Sequence, residues 1–239
     1  MAGGRPRPTL AERRAVIAAA RAMSDEGLSP GTSGNISLRV SGGLLVTPTG
    51  MPAERLSPED IVALDNAGRA APGQRAPSSE WPFHVAILAA RPEAGAVVHC
   101  HSRFATTLAC LRRPIPAFHY MVAVAGGADI RCADYATFGT PELSDAALSA
   151  LVGRKACLLA NHGQIALGST LEGALKLARE VEVLAAQYAG VLALGKPVLL
   201  DAAEMERVIA KFATYGVQPA VASKPRRLAA RTTTKVKTA

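Results

Sequence analysis

A chain of 239 residues, 49% of them hydrophobic, is long enough to build one large α/β domain around a sizeable core. No apolar run reaches the ~18 residues of a membrane helix, and the N-terminus lacks the apolar stretch of a signal peptide. We therefore expect a cytoplasmic protein that has no membrane partner. The four cysteines show no CxxC spacing and are expected to be reduced and structural.

The net charge of +8 is concentrated near the C-terminus. Residues 223–239 contain six basic side chains and no acidic one, so residues 1–222 carry a net charge of only +2. Such a segment cannot bury enough apolar surface to offset its ordering entropy. We divide the chain into an N-terminal extension (1–8), one domain (9–217) and a basic, disordered tail (218–239). Contact of this tail with nucleic acid or another polyanion is expected to be secondary.

The first half of the domain predicts a helix followed by a hairpin. Thr9 and Glu12 form a capping-box pattern that opens a helix ending near Gly27. An alternating run over 36–40 and an apolar run over 44–47 flank a Ser-Gly-Gly turn and predict paired strands. The next predicted elements are a short helical turn capped by Ser57, a strand over 61–64 and a loop over 66–75.

The second half interleaves helices and strands. A helix with Ser79 as its N-cap is predicted from Glu80 to about Ala90. The remaining predicted elements are a buried strand over 94–101, a helix over 103–111, a helix over 142–152, a strand through 157–159, a long helix over 171–192 and a last helix from Asp201 to about 216. Because this order has no strict βαβ rhythm, we expect an α/β fold with a mixed sheet covered by helices.

Three of the five histidines lie where they could bind one metal ion. His99 and His101 are one residue apart in a predicted strand, so their side chains point to one face and Cys100 to the other. His162 supplies a third imidazole, and three neutral imidazoles suit a zinc ion that keeps a position open for substrate. Glu80, nineteen residues before His99, is the candidate base.

The other two histidines are interpreted differently. His84 lies one helical turn after Glu80 and is the main rival for metal ligation. Since two other segments already supply a better ligand set, we expect His84 to support the site from behind or to be structural. His119 is expected to be structural as well.

Further runs share their order and separations with a known family. They are Gly31-Thr32-Ser33-Gly34-Asn35, Thr47-Pro48-Thr49-Gly50, Pro77-Ser78-Ser79-Glu80-Trp81, 116–121, 125–127, 135–140 and 211–216. With the histidines, these runs resemble the class II (zinc-dependent) aldolases of sugar phosphates over about residues 9–217. The resemblance implies a single-domain, three-layer α/β/α sandwich with a central mixed, largely antiparallel sheet. It also implies a homotetramer in which four subunits form a ring.

The resemblance assigns roles to individual residues. It implies one zinc ion per subunit, held by the three histidines and, at rest, by Glu80. Glu80 is then also the acid/base that moves a proton at the carbon beside the carbonyl. Tyr120 is implied to help proton transfer at the oxygen of the leaving aldehyde, and Tyr215 to reach the site of an adjoining subunit. Asn161 stands where the family member that the chain most resembles has a further histidine, but this change removes no ligand.

Small polar residues from three segments are candidates for binding a phosphate. Backbone amides, hydroxyls and helix N-termini suit that task, and the resemblance implies it here. The candidates are Gly34, Asn35, Thr49, Gly50, Ser78 and Ser79. The chain has no GxxxxGK[ST] motif, so we do not expect a nucleotide phosphate.

The implied activity is the cleavage of a ketose 1-phosphate to dihydroxyacetone phosphate and a small aldehyde. L-Fuculose 1-phosphate, which gives L-lactaldehyde, is expected first. Alternatives within the family are 5-deoxyribulose 1-phosphate or a similar salvage sugar, and a dehydratase or decarboxylase of a phosphorylated sugar or keto acid. A catalytically silent scaffold is disfavoured by the intact ligands and Glu80. A nucleic-acid binder is disfavoured because residues 1–222 are nearly neutral.

Overall fold

The first helix confirms the capping box predicted from the sequence. In the computed structural model, which describes residues 6–212, helix α1 spans Leu10–Asp25. The Glu12 amide donates to the Thr9 hydroxyl at 3.2 Å, and the Thr9 amide donates to the Glu12 carboxylate at 2.6 Å. Because the first amides of a helix have no partner within the helix, this reciprocal pair fixes where α1 begins.

Seven strands form a single mixed sheet. Their bounds are β1 (Asn35–Val40), β2 (Gly43–Val46), β3 (Val62–Asp65), β4 (Ala96–Cys100), β5 (Arg131–Ala133), β6 (Ala156–Leu159) and β7 (Gly163–Gly168). The strand order is β3-β2-β1-β4-β7-β6-β5. Every neighbouring pair is antiparallel except β5 with β6. The predicted mixed, largely antiparallel sheet is confirmed.

Helices cover both faces of this sheet. The other helices are α2 (Trp81–Ala90), α3 (Arg103–Cys110), α4 (Pro141–Ala150), α5 (Leu171–Leu194) and α6 (Ala202–Phe212). Apolar residues of α1, α3 and α5 form one buried core with one sheet face, and those of α2 and α4 form another with the opposite face. Helix α6 packs on a 3₁₀ turn at Tyr120–Ala125. The three-layer α/β/α sandwich expected from the sequence is therefore confirmed.

Strand alternation sorts the residues of β4 between these two cores. Val98 and Cys100 belong to the core beneath α1, α3 and α5, whereas Val97 belongs to the core beneath α2 and α4. Strand β4 lies between β1 and β7 near the centre of the sheet, and all five of its residues are buried. Its C-terminal end therefore presents His99 from a rigid, fully paired strand.

The prediction that Ser79 caps α2 is wrong. The helix begins at Trp81, Glu80 is its N-cap residue, and the Glu80 side chain makes no capping hydrogen bond. Ser78 organises the turn instead: its carbonyl accepts from the Trp81 amide at 3.0 Å and its hydroxyl from the Glu80 amide at 3.3 Å. The Glu80 carboxylate is consequently free to face away from the helix start.

Several other boundaries differ from the expectations. Strands β5 and β7 and the 3₁₀ turn at Tyr120–Ala125 were not predicted, and His101 follows β4 rather than ending it. Asp201 does cap the last helix, because the Glu204 amide donates to its carboxylate at 2.7 Å. The predicted end of that helix, Tyr215 and the tail over 218–239 lie outside the described residues. No helix between residues 6 and 212 is long and apolar enough to cross a membrane.

Candidate metal centre and active site

Three imidazole rings and one carboxylate meet beyond the end of β4. The rings of His99, His101 and His162 lie pairwise at centroid distances of 4.8 to 4.9 Å and are packed edge to face. Glu80 joins them from the start of α2. The candidate ligand atoms of these four residues all lie within 4.8 Å of one another, so the cluster could hold a metal ion. The structure thus brings together all four predicted metal-site residues.

Tight backbone packing holds the third histidine against the other two. Leu159 pairs with Gly163, so a loop of only three residues joins β6 to β7 and carries His162. Asn161 in this loop has a left-handed φ of 55°, which asparagine tolerates better than most residues. A Cβ on Gly163 would lie 2.6 Å from the Cys100 carbonyl oxygen and 2.9 Å from the His101 ring. The hairpin can approach β4 this closely because residue 163 has no side chain.

The environment keeps these imidazoles in the form that binds metal. The His99 Nδ1–H donates to the carbonyl of Gln164 at 2.9 Å, which directs Nε2 toward the cluster as the nitrogen that can bind a metal. Burial lowers the pKa of both His101 and His162 to about 4, and the nearby His99 adds to the effect. Neutral imidazoles with bare nitrogens facing each other are suitable metal donors.

The contacts of Glu80 show that a cation fits between these groups. Glu80 Oε2 lies 3.1 Å from Nε2 of His99, and His99 Nε2 lies 3.0 Å from Nε2 of His101. Glu80 Oε1 lies 3.2 Å from His162 Nε2, is buried, and accepts no hydrogen bond within residues 6–212. Several acceptor atoms this close together, one of them unsatisfied, are stabilised by a positive ion placed among them.

Burial and attraction act in opposite directions on the Glu80 carboxyl. Its 4% exposure favours the protonated form. Attraction by positive charge at the cluster, mainly at His99 and then at His162, and the hydrogen bond that the Asn35 amide donates outweigh that effect and lower the pKa of Glu80 to about 2. Glu80 is therefore a carboxylate at neutral pH whose charge depends on positive charge at the cluster.

A cavity of about 300 Å³ opens beside this cluster. Glu80, His101 and His162 form part of its wall, and His99 is fully buried behind them. The wall also contains all six residues predicted to bind phosphate: Gly34, Asn35, Thr49, Gly50, Ser78 and Ser79. They converge partly because β1 pairs with β4 in a register that sets Asn35 opposite His99. Metal-binding and phosphate-binding candidates therefore share one cavity.

Not every predicted site residue lies at this cavity. Tyr120 is 48% exposed, stacks on His119 at a centroid distance of 4.9 Å and is absent from the cavity wall. Conversely, the wall includes residues that the sequence did not assign to the site: Thr32, Ser33, Pro48, Tyr135, Ala136 and Asn161. Most of them belong to runs that carry the family resemblance, and that membership was the available signal.

Comparison with known proteins shows which family this chain resembles. The family model described as Class II Aldolase and Adducin N-terminal domain matches residues 14–189. A 5-methylthioribulose-1-phosphate/5-deoxyribulose-1-phosphate aldolase of Rhodospirillum rubrum is 57% identical over 220 residues, which cover 92% of this chain and 99% of the relative. An L-fuculose phosphate aldolase of Escherichia coli K12 is 50% identical over 206 residues, which cover 86% of this chain and 95% of that protein.

A solved structure shares the fold as well. An L-fuculose 1-phosphate aldolase superposes with a TM-score of 0.83 at 39% identity and covers 86% of this chain and 98% of its own. The fold and cluster define a class of metal-dependent lyases that make or break carbon–carbon bonds. The chain belongs to the class II aldolase family and is an aldehyde-lyase.

Proposed function

We propose that this chain is a zinc-dependent aldolase that cleaves a ketose 1-phosphate into dihydroxyacetone phosphate and a small aldehyde. The observation that carries the proposal is the single cavity whose wall contains both the Glu80–histidine cluster and six small polar residues from three segments. A ketose 1-phosphate has its phosphate one carbon from its carbonyl. The two parts of the wall therefore match two adjacent groups of one substrate.

The roles of the residues follow from what each can do at this cavity. His99, His101 and His162 would hold zinc, with Glu80 as a fourth ligand at rest. The bound ion supplies a Lewis acid for the negative charge that develops beside the carbonyl as the bond between C3 and C4 breaks. The C4 hydroxyl gives up its proton as it becomes the aldehyde, and C3 gains one, so no net proton is released. Glu80, which is a carboxylate at neutral pH, takes up a proton and delivers it to C3.

The polar wall binds the phosphate. Gly34, Thr49, Gly50 and Ser79 are partly or fully exposed in this wall. The Thr49 amide already donates to the Ala76 carbonyl at 3.2 Å, so Thr49 would bind a phosphate through its hydroxyl. Ser78 is 5% exposed, and its hydroxyl also accepts from the Glu80 amide. Ser78 therefore joins phosphate binding to the placement of Glu80.

The substrate class rests on the relatives and on the aromatic side of the cavity. Tyr135 and Phe138 are 55% and 63% exposed there, and such rings suit an apolar aldehyde end. The relative of 57% identity is named for 5-methylthioribulose and 5-deoxyribulose 1-phosphates. We therefore place these 5-deoxypentulose phosphates first. L-Fuculose 1-phosphate, expected first from the sequence, is the second candidate because a relative named for it is 50% identical.

Steady-state kinetics test this proposal. The purified zinc-loaded protein is assayed with 5-deoxyribulose, 5-methylthioribulose and L-fuculose 1-phosphates, and dihydroxyacetone phosphate is measured by coupled reduction with NADH. We expect its release from all three substrates, with the highest kcat/KM for a 5-deoxypentulose phosphate. Loss of water or carbon dioxide without dihydroxyacetone phosphate would instead favour the dehydratase or decarboxylase alternative. The Glu80→Gln protein is the control for a contaminating aldolase.

The assembly belongs to the same proposal. A homotetramer in which Tyr215 reaches an adjoining site needs chains from two subunits for one active site. Glu80→Gln and Tyr215→Phe chains, each impaired alone, should then regain activity when they are co-expressed and form mixed oligomers. Light scattering measures the mass of those oligomers. A mixed preparation no more active than its parents, at tetramer mass, would mean that Tyr215 does not act across subunits.

A further inference from the structure

A buried chain of hydrogen bonds lies behind Glu80 and has no role in the proposed function so far. Ser37 Oγ lies 2.7 Å from His84 Nδ1, His84 Nε2 lies 2.6 Å from Asn35 Oδ1, and Asn35 Nδ2 lies 2.8 Å from Glu80 Oε2. Ser37 and His84 have no exposed surface, and Asn35 is 3% exposed. Water does not reach these groups, so the hydrogen-bonding capacity of each must be satisfied by its neighbour in the protein.

The charge of Glu80 sets the direction of every bond in this chain. A carboxylate only accepts hydrogen bonds, so Asn35 must turn its NH₂ group to Glu80 and its carbonyl oxygen to His84. The His84 Nε2 must then carry the ring proton. A neutral imidazole carries only one such proton, so Nδ1 is bare and accepts from the Ser37 hydroxyl. Burial lowers the pKa of His84 to about 3, which keeps the ring neutral.

The reversed chain would oppose the proposed chemistry. If His84 carried its proton on Nδ1, its bare Nε2 would face Asn35, and the amide would turn its carbonyl oxygen toward Glu80. Two acceptor oxygens 2.8 Å apart repel each other, so Glu80 would leave this position. The Ser37 hydroxyl can donate as well as accept, but only its donation is compatible with the observed place of Glu80.

We propose that Ser37 and His84 are positioning residues that fix the Asn35 amide, so that Glu80 is held by Oε2 and exchanges the substrate proton through Oε1. Oε1 lies beside His162, accepts no hydrogen bond within the described part of the chain, and belongs to a residue in the cavity wall. The second hydrogen on Asn35 Nδ2 takes no part in the hydrogen bonds from Ser37 to Glu80 and is left for the substrate. This inference rests on the proposed acid/base role of Glu80.

Ser37→Ala is the sharpest kinetic test because it removes the hydroxyl that donates to His84 and leaves only a small cavity in its place. The ring proton of His84 is then no longer confined to Nε2, and we expect kcat to fall by about tenfold, as for the loss of one positioning hydrogen bond. Zinc content should stay at the parent level. Ser144→Ala is the matched control. Ser144 is a buried serine on α4, and its hydroxyl donates to the backbone carbonyl of Thr140, which takes no part in the hydrogen bonds from Ser37 to Glu80. Equal kcat in the two variants would overturn the proposal.

Two substitutions of His84 separate positioning from packing. Gln at this position keeps an N–H donor near the place of Nε2, whereas Leu fills much of the space without a donor. We expect His84→Gln to retain more of the parental kcat than His84→Leu. Equal losses in two folded variants would mean that His84 only packs. If His84→Leu does not fold, the comparison of Ser37→Ala with Ser144→Ala decides.

Nitrogen-15 NMR of the imidazoles reads the tautomer directly and does not depend on activity. Protonated and bare imidazole nitrogens have well-separated shifts. We expect His84 in the zinc-loaded parent to show a protonated Nε2 and a bare Nδ1, and Ser37→Ala to show both tautomers. A protonated Nδ1 in the parent would overturn the proposed direction of the hydrogen bonds from Ser37 to Glu80. If the parent cleaves no ketose 1-phosphate, the proposed function fails. The spectrum still shows whether the hydrogen bonds from Ser37 to Glu80 run in the proposed direction.

Discussion

Glu80 is the single residue on which the proposed chemistry depends most. Gln at position 80 keeps the size of the side chain but cannot carry a proton. General acid–base groups typically contribute ~10²–10⁴-fold in rate, so we expect Glu80→Gln to lower kcat by that factor. Three imidazoles remain to hold the metal, and the metal content measured by plasma emission should be retained. A kcat within a few fold of the parent would make Glu80 a residue of the helix start only.

His162 tests the metal site from the hairpin side. It is the only one of the three predicted histidine ligands carried by the β6–β7 loop. We expect His162→Ala to lose both bound metal and activity, because two imidazoles and one carboxylate bind a divalent ion less tightly than four groups. His119→Ala is the control for metal content, since His119 accepts a hydrogen bond from the Met121 amide and lies outside the cluster. Full metal occupancy in His162→Ala would refute the ligand assignment.

Among the smaller elements, the 3₁₀ turn at Pro58–Asp60 carries a titratable contact. The amide and hydroxyl of Ser57 donate to Asp60 at 2.9 and 2.7 Å, and Arg75 pairs with the same carboxylate. The Ser57 hydroxyl, then Arg75, lower the pKa of Asp60 from 3.8 to about 2. This element also ties down the loop that leads to Ser78.

Replacement of Asp60 should therefore have a pH-dependent cost. A lowered pKa in the folded state means that the stabilisation is complete above pH 3.8 and is lost as the pH falls toward 2. We expect Asp60→Ala to lower the free energy of unfolding by about 1 kcal/mol at pH 7, the size of a lost cap, and by less near pH 3. Urea titrations measure both values. Asp145→Ala, at an exposed position of α4, is the control and should lower the free energy of unfolding by less.

The elements that were predicted correctly carry local signals, and those that were missed depend on distant partners. The capping box of α1 and the β1–β2 hairpin each depend on residues that are close together in the sequence. Strand β5 has only three residues, and its pairing in the sheet is the parallel one with β6. Strand β7 is an apolar run between two glycines that could equally be part of a buried helix, until β4 and β6 pair with it.

The same difference holds for the site. His99 and His101 could be paired from their spacing alone, because a strand places alternate residues on one face. The buried hydrogen bonds from Ser37 to Glu80 could not be predicted, since Ser37 and His84 are 47 positions apart and meet only through the packing of α2 on the sheet. Nor could the convergence of the phosphate-binding candidates be derived from spacing, because it depends on the register of β1 with β4.

At the scale of the whole molecule, the distribution of charge predicts a dispensable tail. Residues 223–239 carry six positive charges and no negative one, whereas every site residue described above lies at or before position 162, and the implied Tyr215 precedes the tail. We expect truncation after Ala222 to leave Tm and kcat nearly unchanged. It should remove salt-sensitive binding to a polyanion such as heparin, because each phosphate-like contact that is lost reduces the salt slope by about one. If truncation abolishes turnover while Tm is unchanged, the tail contributes to an active site, and the boundary at 217 is wrong.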